Sequence, residues 1–187
     1  MNFAIEKIAY EPSRLDTSYA PVRSLGSEQV ELDRFDARLL QEVQKNNKMP
    51  TECLGEAVGL SGTAVQRRLK RLRERGVIES DVSIVNPRVF GQRLTMVVLV
   101  TLERDRADVV EHFKRTIRAK PEVMSCYYVT GDADFVLVLT VDDMERYQNF
   151  IRAFFHGNEE IKSFNTMVVI DRFKASFALP IDLTKFK

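Results

Sequence analysis

The sequence lacks the features that mark several large classes of protein. Its two cysteines, Cys53 and Cys126, lie far apart and form no CxxC pair, which argues against a disulfide framework or a zinc knuckle and favours a reducing cytosol. No apolar run approaches the roughly 20 residues that a membrane-spanning helix needs, and the N-terminus does not resemble a signal peptide. We therefore expect a cytoplasmic protein with no membrane segment, no metal site and no cofactor.

Net positive charge is also scarce over the whole chain, but it is dense in one short segment, residues 60–76. The chain carries a formal net charge of only +1, whereas this segment has six cations against Glu74 and a charge of +5. Val65, Leu69 and Leu72 stand at i, i+4 and i+7, which predicts a helix with one packing face and an opposite polar face. Positive charge concentrated on one helix is typical of an element that binds phosphate.

The elements around this basic helix predict a helix-turn-helix domain over residues 32–85. A helical stripe over residues 32–47, with Asp33 as its N-cap, indicates the first helix. The second helix is predicted over residues 52–58, and a tight turn over residues 59–61 ends in a serine that can cap the basic helix. The segment that follows looks extended, so the domain is expected to resemble a winged helix.

Beyond a linker at residues 86–92, the chain alternates strands and helices in the order β-α-β-β-α-β up to residue 175. The strands are predicted at residues 94–103, 123–130, 135–141 and 164–173, and the helices at residues 107–120 and 144–155. This order predicts a ferredoxin-like sandwich, and the fold class of the chain is therefore α+β. We expect residues 1–31 to be an extension that is disordered or borrowed by a partner chain, and residues 176–187 to be a C-terminal tail.

Two sets of short motifs, one in each predicted domain, are specific when they are taken together in this order and spacing. The first set is Leu32-Asp33-Arg34-Phe35-Asp36, Leu39-Leu40, Val58-Gly59-Leu60-Ser61, Val65-Gln66-Arg67-Arg68-Leu69-Lys70-Arg71-Leu72 and Gly76-Val77-Ile78. The second set is Pro121-Glu122-Val123, Val129-Thr130-Gly131-Asp132-Ala133-Asp134-Phe135, Thr166 and Lys174. With these motifs the chain resembles the Lrp/AsnC, or feast/famine, transcriptional regulators of bacteria and archaea.

The resemblance has departures as well as implications. Gly55 stands where alanine or serine is usual, Glu160-Ile161 replaces a usual glycine-valine pair, and the segment before Leu32 is longer than usual. The resemblance implies a homodimer that assembles further to an octamer. A dimer also suits DNA binding, because paired half-sites provide the contact that one helix rarely provides.

Specific DNA binding needs cations near phosphates and side chains that offer paired hydrogen bonds to base edges. The predicted DNA-binding residues are Ser61, Thr63, Gln66, Arg67, Arg68, Lys70, Arg71 and Arg73. Four of them are expected to face the major groove: Thr63, Gln66, Arg67 and Lys70. Gln66 suits adenine and Arg67 suits guanine, whereas Arg68, Arg71 and Arg73 are expected nearer the DNA backbone. Alternatively, these are solvated charges on an exposed helix, and Arg68 forms an intramolecular salt bridge.

A glycine loop between the second and third predicted strands is a candidate effector site. Gly131 can take a positive φ, so successive backbone N–H groups could converge on the carboxylate of an amino acid, with Asp134 available for its ammonium group. Spacing alone favours a plain hairpin turn in which Asp134 caps local N–H groups. The resemblance favours the effector, because in this family the same loop lies between dimers where small effectors bind. The predicted effector-binding residues are Thr130, Gly131, Asp132, Ala133 and Asp134.

Three other functions fit the sequence less well. Proteins similar to this family act as sirohaem decarboxylases on the same scaffold, but no acid-base constellation surrounds His112 or His156, so no catalytic residue is predicted. An RNA-binding sandwich would need a strand with an aromatic and basic pattern, and no predicted strand carries one. An interaction protein with a vestigial helix-turn-helix would not need the dense positive charge of this helix. We expect a transcriptional regulator, not an enzyme, that binds double-stranded DNA and is modulated by an amino acid or related small molecule.

Overall fold

The computed structural model describes residues 30–91, 94–104 and 106–186. The described chain divides into two compact units, one made of residues 30–82 together with residues 177–186, and the other lying between Ser83 and Ser176. The extension predicted over residues 1–31 lies outside the described residues except for its last two. In the described part of the chain, no helix is long and apolar enough to cross a membrane.

Three helices build the first unit: α1 (Arg34–Lys45), α2 (Thr51–Val58) and α3 (Gly62–Glu74). Asp33 is the N-cap of α1, as predicted, and its carboxylate accepts the Asp36 N–H at 2.8 Å, while the Asp36 carboxylate accepts the Asp33 N–H at 3.2 Å. The helices enclose a small aliphatic core of Leu39, Leu54, Val58, Val65, Leu69 and Leu72. The helix-turn-helix prediction is therefore confirmed.

The turn between α2 and α3 wraps closely around Gly55. The Gly55 carbonyl accepts the backbone N–H groups of both Gly59, at 2.8 Å, and Leu60, at 2.9 Å. Gly59 has a φ of 80°, the left-handed conformation that commonly ends a helix. A Cβ at position 55 would lie well inside van der Waals contact with the Leu60 carbonyl oxygen. The departure from the family pattern at Gly55 thus accompanies an unusually close approach of two backbone segments.

After α3 the chain turns back onto the core of the first unit. The N–H groups of Val77 and Ile78 both donate to the Leu72 carbonyl, at 2.9 and 3.2 Å, and both side chains pack against the core. Residues 79–86, which looked extended in the sequence, are exposed and belong to no helix or strand. This part of the described chain therefore has a helix-turn-helix without a β wing, and a short 3-10 turn at Pro87–Phe90 follows it.

The end of the chain also belongs to the first unit. The side-chain amide of Gln44 accepts the Leu179 N–H at 2.6 Å and donates to the Leu179 carbonyl at 3.3 Å, and Gln41 donates to the Ile181 carbonyl at 2.8 Å. A short 3-10 turn at Leu183–Lys185 follows. We call residues 177–186 the C-terminal strap, because they are bound to α1 where the sequence suggested only a tail.

The second unit is an antiparallel sheet with two helices. Its elements are β1 (Leu94–Leu102), α4 (Ala107–Arg118), β2 (Val123–Tyr128), β3 (Phe135–Val141), α5 (Met144–Phe154) and β4 (Ile161–Val168). The strand order is β2-β3-β1-β4 and every pairing is antiparallel, which confirms the predicted ferredoxin-like fold and the hairpin of β2 and β3.

The last strand was predicted at residues 164–173 and lies earlier, because its partner determines its extent. Val168 pairs with Met96, and the Val169 N–H donates to the Thr95 carbonyl at 2.8 Å. Since β1 begins at Leu94, later residues find no partner on it. Phenylalanine side chains of α4, α5 and the sheet fill the core, with the rings of Phe113 and Phe135 only 4.4 Å apart between centroids.

Candidate DNA-binding helix and effector loop

α3 begins and packs as its sequence predicted. The Ser61 hydroxyl oxygen accepts the Ala64 N–H at 3.3 Å, which caps the first turn. Val65, Leu69 and Leu72 are buried in the core of the first unit. The remaining predicted DNA-binding residues are exposed or half-buried on the other sides of the helix. The exposed ones are Ser61, Thr63, Gln66, Arg67, Lys70, Arg71 and Arg73.

One row of these side chains is free to contact a ligand. Within the described part of the chain, Thr63, Gln66 and Arg67 make no side-chain hydrogen bond or ion pair. Lys70 lies 3.8 Å from the carboxylate of Glu74, and both side chains are exposed, so this pair is weak. The row carries a hydroxyl, an amide, a guanidinium and an ammonium group, which together suit base edges and phosphates.

The other side of α3 is bound to the start of α1 by ion pairs. Arg68 Nη1 lies 2.6 Å from Asp33 Oδ2 and 2.9 Å from Asp36 Oδ1, and Arg71 Nη2 donates to Asp36 Oδ2. Asp36 is only 1% exposed, whereas Arg68 and Arg71 are 22% and 47% exposed. We call these four residues the acidic clamp. The intramolecular salt bridge considered for Arg68 is thus present, and Arg71 is engaged in the same way.

The acidic clamp shifts the pKa of two of its members. Burial acts to raise the pKa of the Asp33 carboxyl, but hydrogen bonds from the Asp36 N–H and from Arg68 outweigh it and the pKa lies below its ordinary value. Burial acts to lower the pKa of Arg68, and its hydrogen bonds to the two carboxylates raise that pKa above its ordinary value. Both groups are therefore charged at neutral pH.

Arg73, the third arginine expected near the DNA backbone, also has an intramolecular partner. Its Nε donates to Asp81 Oδ2 at 2.8 Å. Both side chains of this pair are well exposed, at 44% and 39%, so the guanidinium can exchange its partner for a phosphate at little expense. The sequence did not indicate Asp36 or Asp81 as partners of the basic helix.

The glycine loop is held against β1 on one side and open on the other. The Asp134 N–H donates to the Val100 carbonyl at 2.9 Å, and Asp134 Oδ2 accepts the Leu102 N–H at 2.7 Å. Gly131 has a φ of 121°, which a residue with a Cβ rarely adopts. In the described chain, the N–H groups of residues 130–133 donate no hydrogen bond. One carboxylate oxygen of Asp134 thus caps a backbone N–H, but that N–H belongs to Leu102 on β1 and not to the local loop residues that the plain-turn alternative expected.

The two histidines have different neighbours in the second unit. His112 Nδ1 is 2.7 Å from Glu160 Oε2 on the surface, and the His156 ring stands near the Phe164 ring, with centroids 6.1 Å apart.

Burial raises the pKa of the Cys126 thiol to about 11, so it is protonated at neutral pH. Among the described residues, no three His, Cys, Asp or Glu side chains come together as metal ligands.

Comparison with known proteins agrees with this two-part arrangement. Residues 32–73 match the AsnC-type helix-turn-helix domain, and residues 95–179 match the Lrp/AsnC ligand binding domain. The chain is 60% identical over 154 residues to an uncharacterized HTH-type transcriptional regulator of Sinorhizobium fredii, which covers 82% of this chain and 91% of that protein.

Two further relatives extend the likeness to a named regulator and to a solved structure. The leucine-responsive regulatory protein of Escherichia coli K12 is 32% identical over 151 residues, covering 81% of this chain and 92% of its own length. The crystal structure of a transcriptional regulator from Neisseria meningitidis in complex with L-Met superposes with a TM-score of 0.74 at 28% identity, covering 81% of this chain and 98% of that chain. As its motifs predicted, the chain belongs to the Lrp/AsnC family of helix-turn-helix transcriptional regulators.

Proposed function

We propose that this regulator binds double-stranded DNA with the exposed row of α3 in the major groove. The observation that carries the proposal is that Thr63, Gln66 and Arg67 have no partner in the described chain, although they stand on a helix that is capped and packed. Gln66 and Arg67 can each offer paired hydrogen bonds to a purine. Lys70 lies in the groove with the rest of the row, and Ser61 and Arg73 contact phosphates. Arg68 and Arg71, which the sequence placed near the DNA backbone, remain in the acidic clamp.

A titration of the full chain against DNA from its own upstream region tests this proposal. Arg67→Ala removes a bidentate base contact worth about 1–3 kcal/mol, so binding weakens about 5- to 150-fold. The matched control is Arg115→Ala, which removes the same charge from α4 of the second unit and leaves the affinity within about twofold. Equal binding by wild type and Arg67→Ala contradicts the proposal.

The protein functions as a homodimer that pairs through the sheet of the second unit. Val97 pairs with Val138 on one neighbouring strand and with Met167 on the other, and Tyr127 lies two strands away. Tyr127 and Met167 are about half exposed in the single chain. Such an apolar face suits a second copy, and two copies of α3 can read two half-sites. Dimers associate further to an octamer.

Sedimentation measurements test the dimer. Leu99→Glu places a charge in the middle strand of the face, where a partner would have to bury it unpaired. We expect this variant to sediment as a monomer and to bind DNA with lower affinity. Lys162→Glu, on the same sheet but at an exposed position, is the control and retains the wild-type size. A dimeric Leu99→Glu protein shows that the copies associate elsewhere.

The glycine loop binds the effector, an amino acid or related small molecule, between dimers. The free N–H groups of residues 130–133 support this, because a carboxylate can accept several of them at once. The ammonium group goes to Asp134 Oδ1, since Oδ2 is engaged by Leu102. The Neisseria meningitidis regulator was crystallised with L-Met, which makes amino acids the first compounds to test.

Calorimetric titration with a panel of L-amino acids tests the effector role. Asp134→Asn removes the charge that faces the ammonium group, and we expect at least tenfold weaker binding of any amino acid that the wild type binds. Asp142→Asn removes an exposed carboxylate elsewhere in the second unit and is the control. The sensor role fails if no amino acid binds the wild type or changes its assembly or DNA affinity.

We propose further that the chain is not an enzyme. The alternative is a sirohaem decarboxylase on the same scaffold, which needs an acid-base group near a tetrapyrrole pocket. His112 is held by Glu160 on the surface, and His156 stands beside Phe164 without a carboxylate partner in the described chain. Absorption spectroscopy with added sirohaem separates the two functions. No spectral shift is expected, and tight binding followed by decarboxylation would establish the enzyme.

A further inference from the structure

The acidic clamp holds one side of α3 against the start of α1. Capping of α1 uses the carboxylates of Asp33 and Asp36 and needs neither arginine. Arg68 and Arg71 are three residues apart and therefore lie on one side of the helix, directed at the same carboxylate. Both oxygens of the Asp36 carboxylate are engaged, one by each arginine, and Arg68 also reaches Asp33. The Arg68 guanidinium lies over the Phe35 ring, 5.6 Å from its centroid, which fixes its position from a third direction.

We propose that Asp33 and Asp36 are specificity-determining positioning residues of the DNA-binding unit. The acidic clamp holds α3 in a fixed orientation on α1, and it withholds the guanidinium groups of Arg68 and Arg71 from DNA phosphates. Binding then depends more on the base contacts of the exposed row and less on charge. This inference rests on the proposed function of α3, because withholding matters only if α3 binds DNA.

Burial explains why these two arginines are withheld while Arg73 is not. An arginine that left Asp36 for a phosphate would remove a charge-assisted hydrogen bond from a carboxylate that is 1% exposed. Water cannot replace that bond at a buried oxygen, so the exchange is unfavourable even while the other arginine remains. Arg73 and Asp81 are both exposed, and water solvates either group when the pair opens. Of the six cations in this segment, the clamp therefore removes two from the set that can neutralise phosphates.

The number of neutralised phosphates determines how steeply affinity falls with salt. The logarithm of the binding constant falls with the logarithm of salt concentration by about 0.9 per phosphate contact on duplex DNA. Each released arginine that finds a phosphate steepens this slope by about 0.9 per protomer and raises affinity for any sequence about tenfold near 0.1 M salt. This gain is the same on specific and non-specific DNA, so by itself it leaves the specificity ratio unchanged. The ratio falls because α3, once released from the clamp, no longer holds its exposed row in a fixed orientation against the base edges.

The experiment compares the full chain with Asp36→Asn on two duplexes, its own upstream DNA and a random sequence of equal length. Asparagine keeps the shape and an acceptor oxygen but loses the charge that holds the two guanidinium groups. Over 50–300 mM KCl, we expect a steeper salt slope on both duplexes. We also expect a specificity ratio reduced at least about fivefold, as the loss of one base contact of about 1 kcal/mol by the loosened helix would reduce it. Asp36→Asn combined with Arg71→Gln removes the released cation, so the slope returns toward the wild-type value.

Two controls separate the clamp from general charge effects and from folding. Glu42→Gln removes a carboxylate from the same helix, where it contacts Lys45, and leaves the slope unchanged. Asp33→Asn keeps an efficient N-cap and so remains folded even if Asp36→Asn does not. It releases Arg68 only in part, so it steepens the salt slope by less than Asp36→Asn does.

Each outcome decides between a clamp and a merely structural ion pair. If Asp36→Asn, or Asp33→Asn where the former is unfolded, weakens binding to both duplexes without a steeper slope, the inference is wrong. An unchanged slope and specificity ratio overturns it as well. Arg67→Ala is measured in parallel. If it binds DNA as the wild type does, the proposed function of α3 fails. If Arg67→Ala binds more weakly but the salt slope of Asp36→Asn is unchanged, the inference about the clamp alone is wrong.

Discussion

The two units of the chain are stabilised in different ways. In the described residues, the core of the first unit contains six buried aliphatic side chains, whereas that of the second contains sixteen side chains, including aromatic rings of α4, α5 and the sheet that contact one another. The first unit adds polar contacts to its small core, namely those of the reciprocal capping box, the acidic clamp and the C-terminal strap. A unit with little apolar surface to bury needs such specific contacts. Its stability therefore responds to charge and backbone changes, and that of the second unit to changes in packing.

The largest expected effect comes from removing an aromatic side chain in the second unit. Phe113 contacts Phe135 and Phe154, with centroid distances of 4.4 and 5.7 Å, and it is almost fully buried. We expect Phe113→Ala to destabilise this unit by about 3–5 kcal/mol. Calorimetry of the full chain should show that its transition moves to lower temperature while that of the first unit stays. Met144→Ala, at a position 48% exposed, is the control. Equal shifts of both transitions would show that the units do not unfold independently.

The first unit offers a sharper test, in which helix propensity and close packing oppose each other. Alanine raises helix propensity over glycine by about 1 kcal/mol, yet a Cβ at Gly55 overlaps the Leu60 carbonyl. Because that oxygen belongs to the backbone of a tight turn, we expect overlap to prevail and Gly55→Ala to lose about 1–2 kcal/mol. Chemical denaturation monitored by helical circular dichroism measures this loss.

Gly62→Ala is the matched control for that prediction. Its added Cβ would stand 3.1 Å from Glu52 Oε1, the end of a flexible side chain that can move away. We expect a change within about 0.5 kcal/mol. A Gly55→Ala protein that is more stable than the wild type would show that the turn adjusts easily, and the close approach at Gly55 would then need another explanation.

The kinds of contact in the first unit also explain which of its features could be predicted from the sequence. The buried stripe of α3, its serine cap and the Asp33 cap depend on residues near one another in sequence, and all three were predicted and confirmed. The clamp joins residues that are 32 and 35 positions apart. Two carboxylates at i, i+3 and two arginines at i, i+3 are its only signal in the sequence. That signal becomes meaningful only once α1 and α3 are known to face each other.

Other features left no signal in the sequence because they depend on backbone pairing. The extent of β4 depends on where β1 begins, and the strap depends on a glutamine that binds backbone groups 135 residues away. The loop at Gly131 was located by its glycine and aspartates, whereas the capping of Leu102 by Asp134 follows from the sheet register. The DNA-binding and effector-binding roles of individual residues stay predictions.

The C-terminal strap tests the polar contacts of the first unit with a smaller expected effect on stability. Gln44→Ala removes two hydrogen bonds to Leu179 at an exposed site, and we expect a loss of about 1 kcal/mol in the first unit. Hydrogen exchange should show faster exchange at the Leu179 amide, because its acceptor is gone. Gln148→Ala on the exposed side of α5 is the control and should change neither quantity. Unaltered exchange at Leu179 would mean that the strap is held by other contacts.

The smallest expected effect is the pH dependence that Asp33 gives to the first unit. Its pKa is lowered in the folded protein from an ordinary value of 3.8, so its ionised form stabilises the fold. This contribution is complete above pH 3.8 or so and is lost as the pH falls through the lower, folded pKa. Asp33→Asn keeps the cap but loses the charge, and solvent screening limits the difference from wild type to below about 1 kcal/mol. Denaturation of both proteins at pH 6 and at successive steps below pH 3.8 should therefore show a stability difference that is full at pH 6 and shrinks as the pH falls. A difference that stays constant through the acid range would mean that shape and not charge accounts for the role of Asp33, and the first unit would then resemble the second in depending on packing alone.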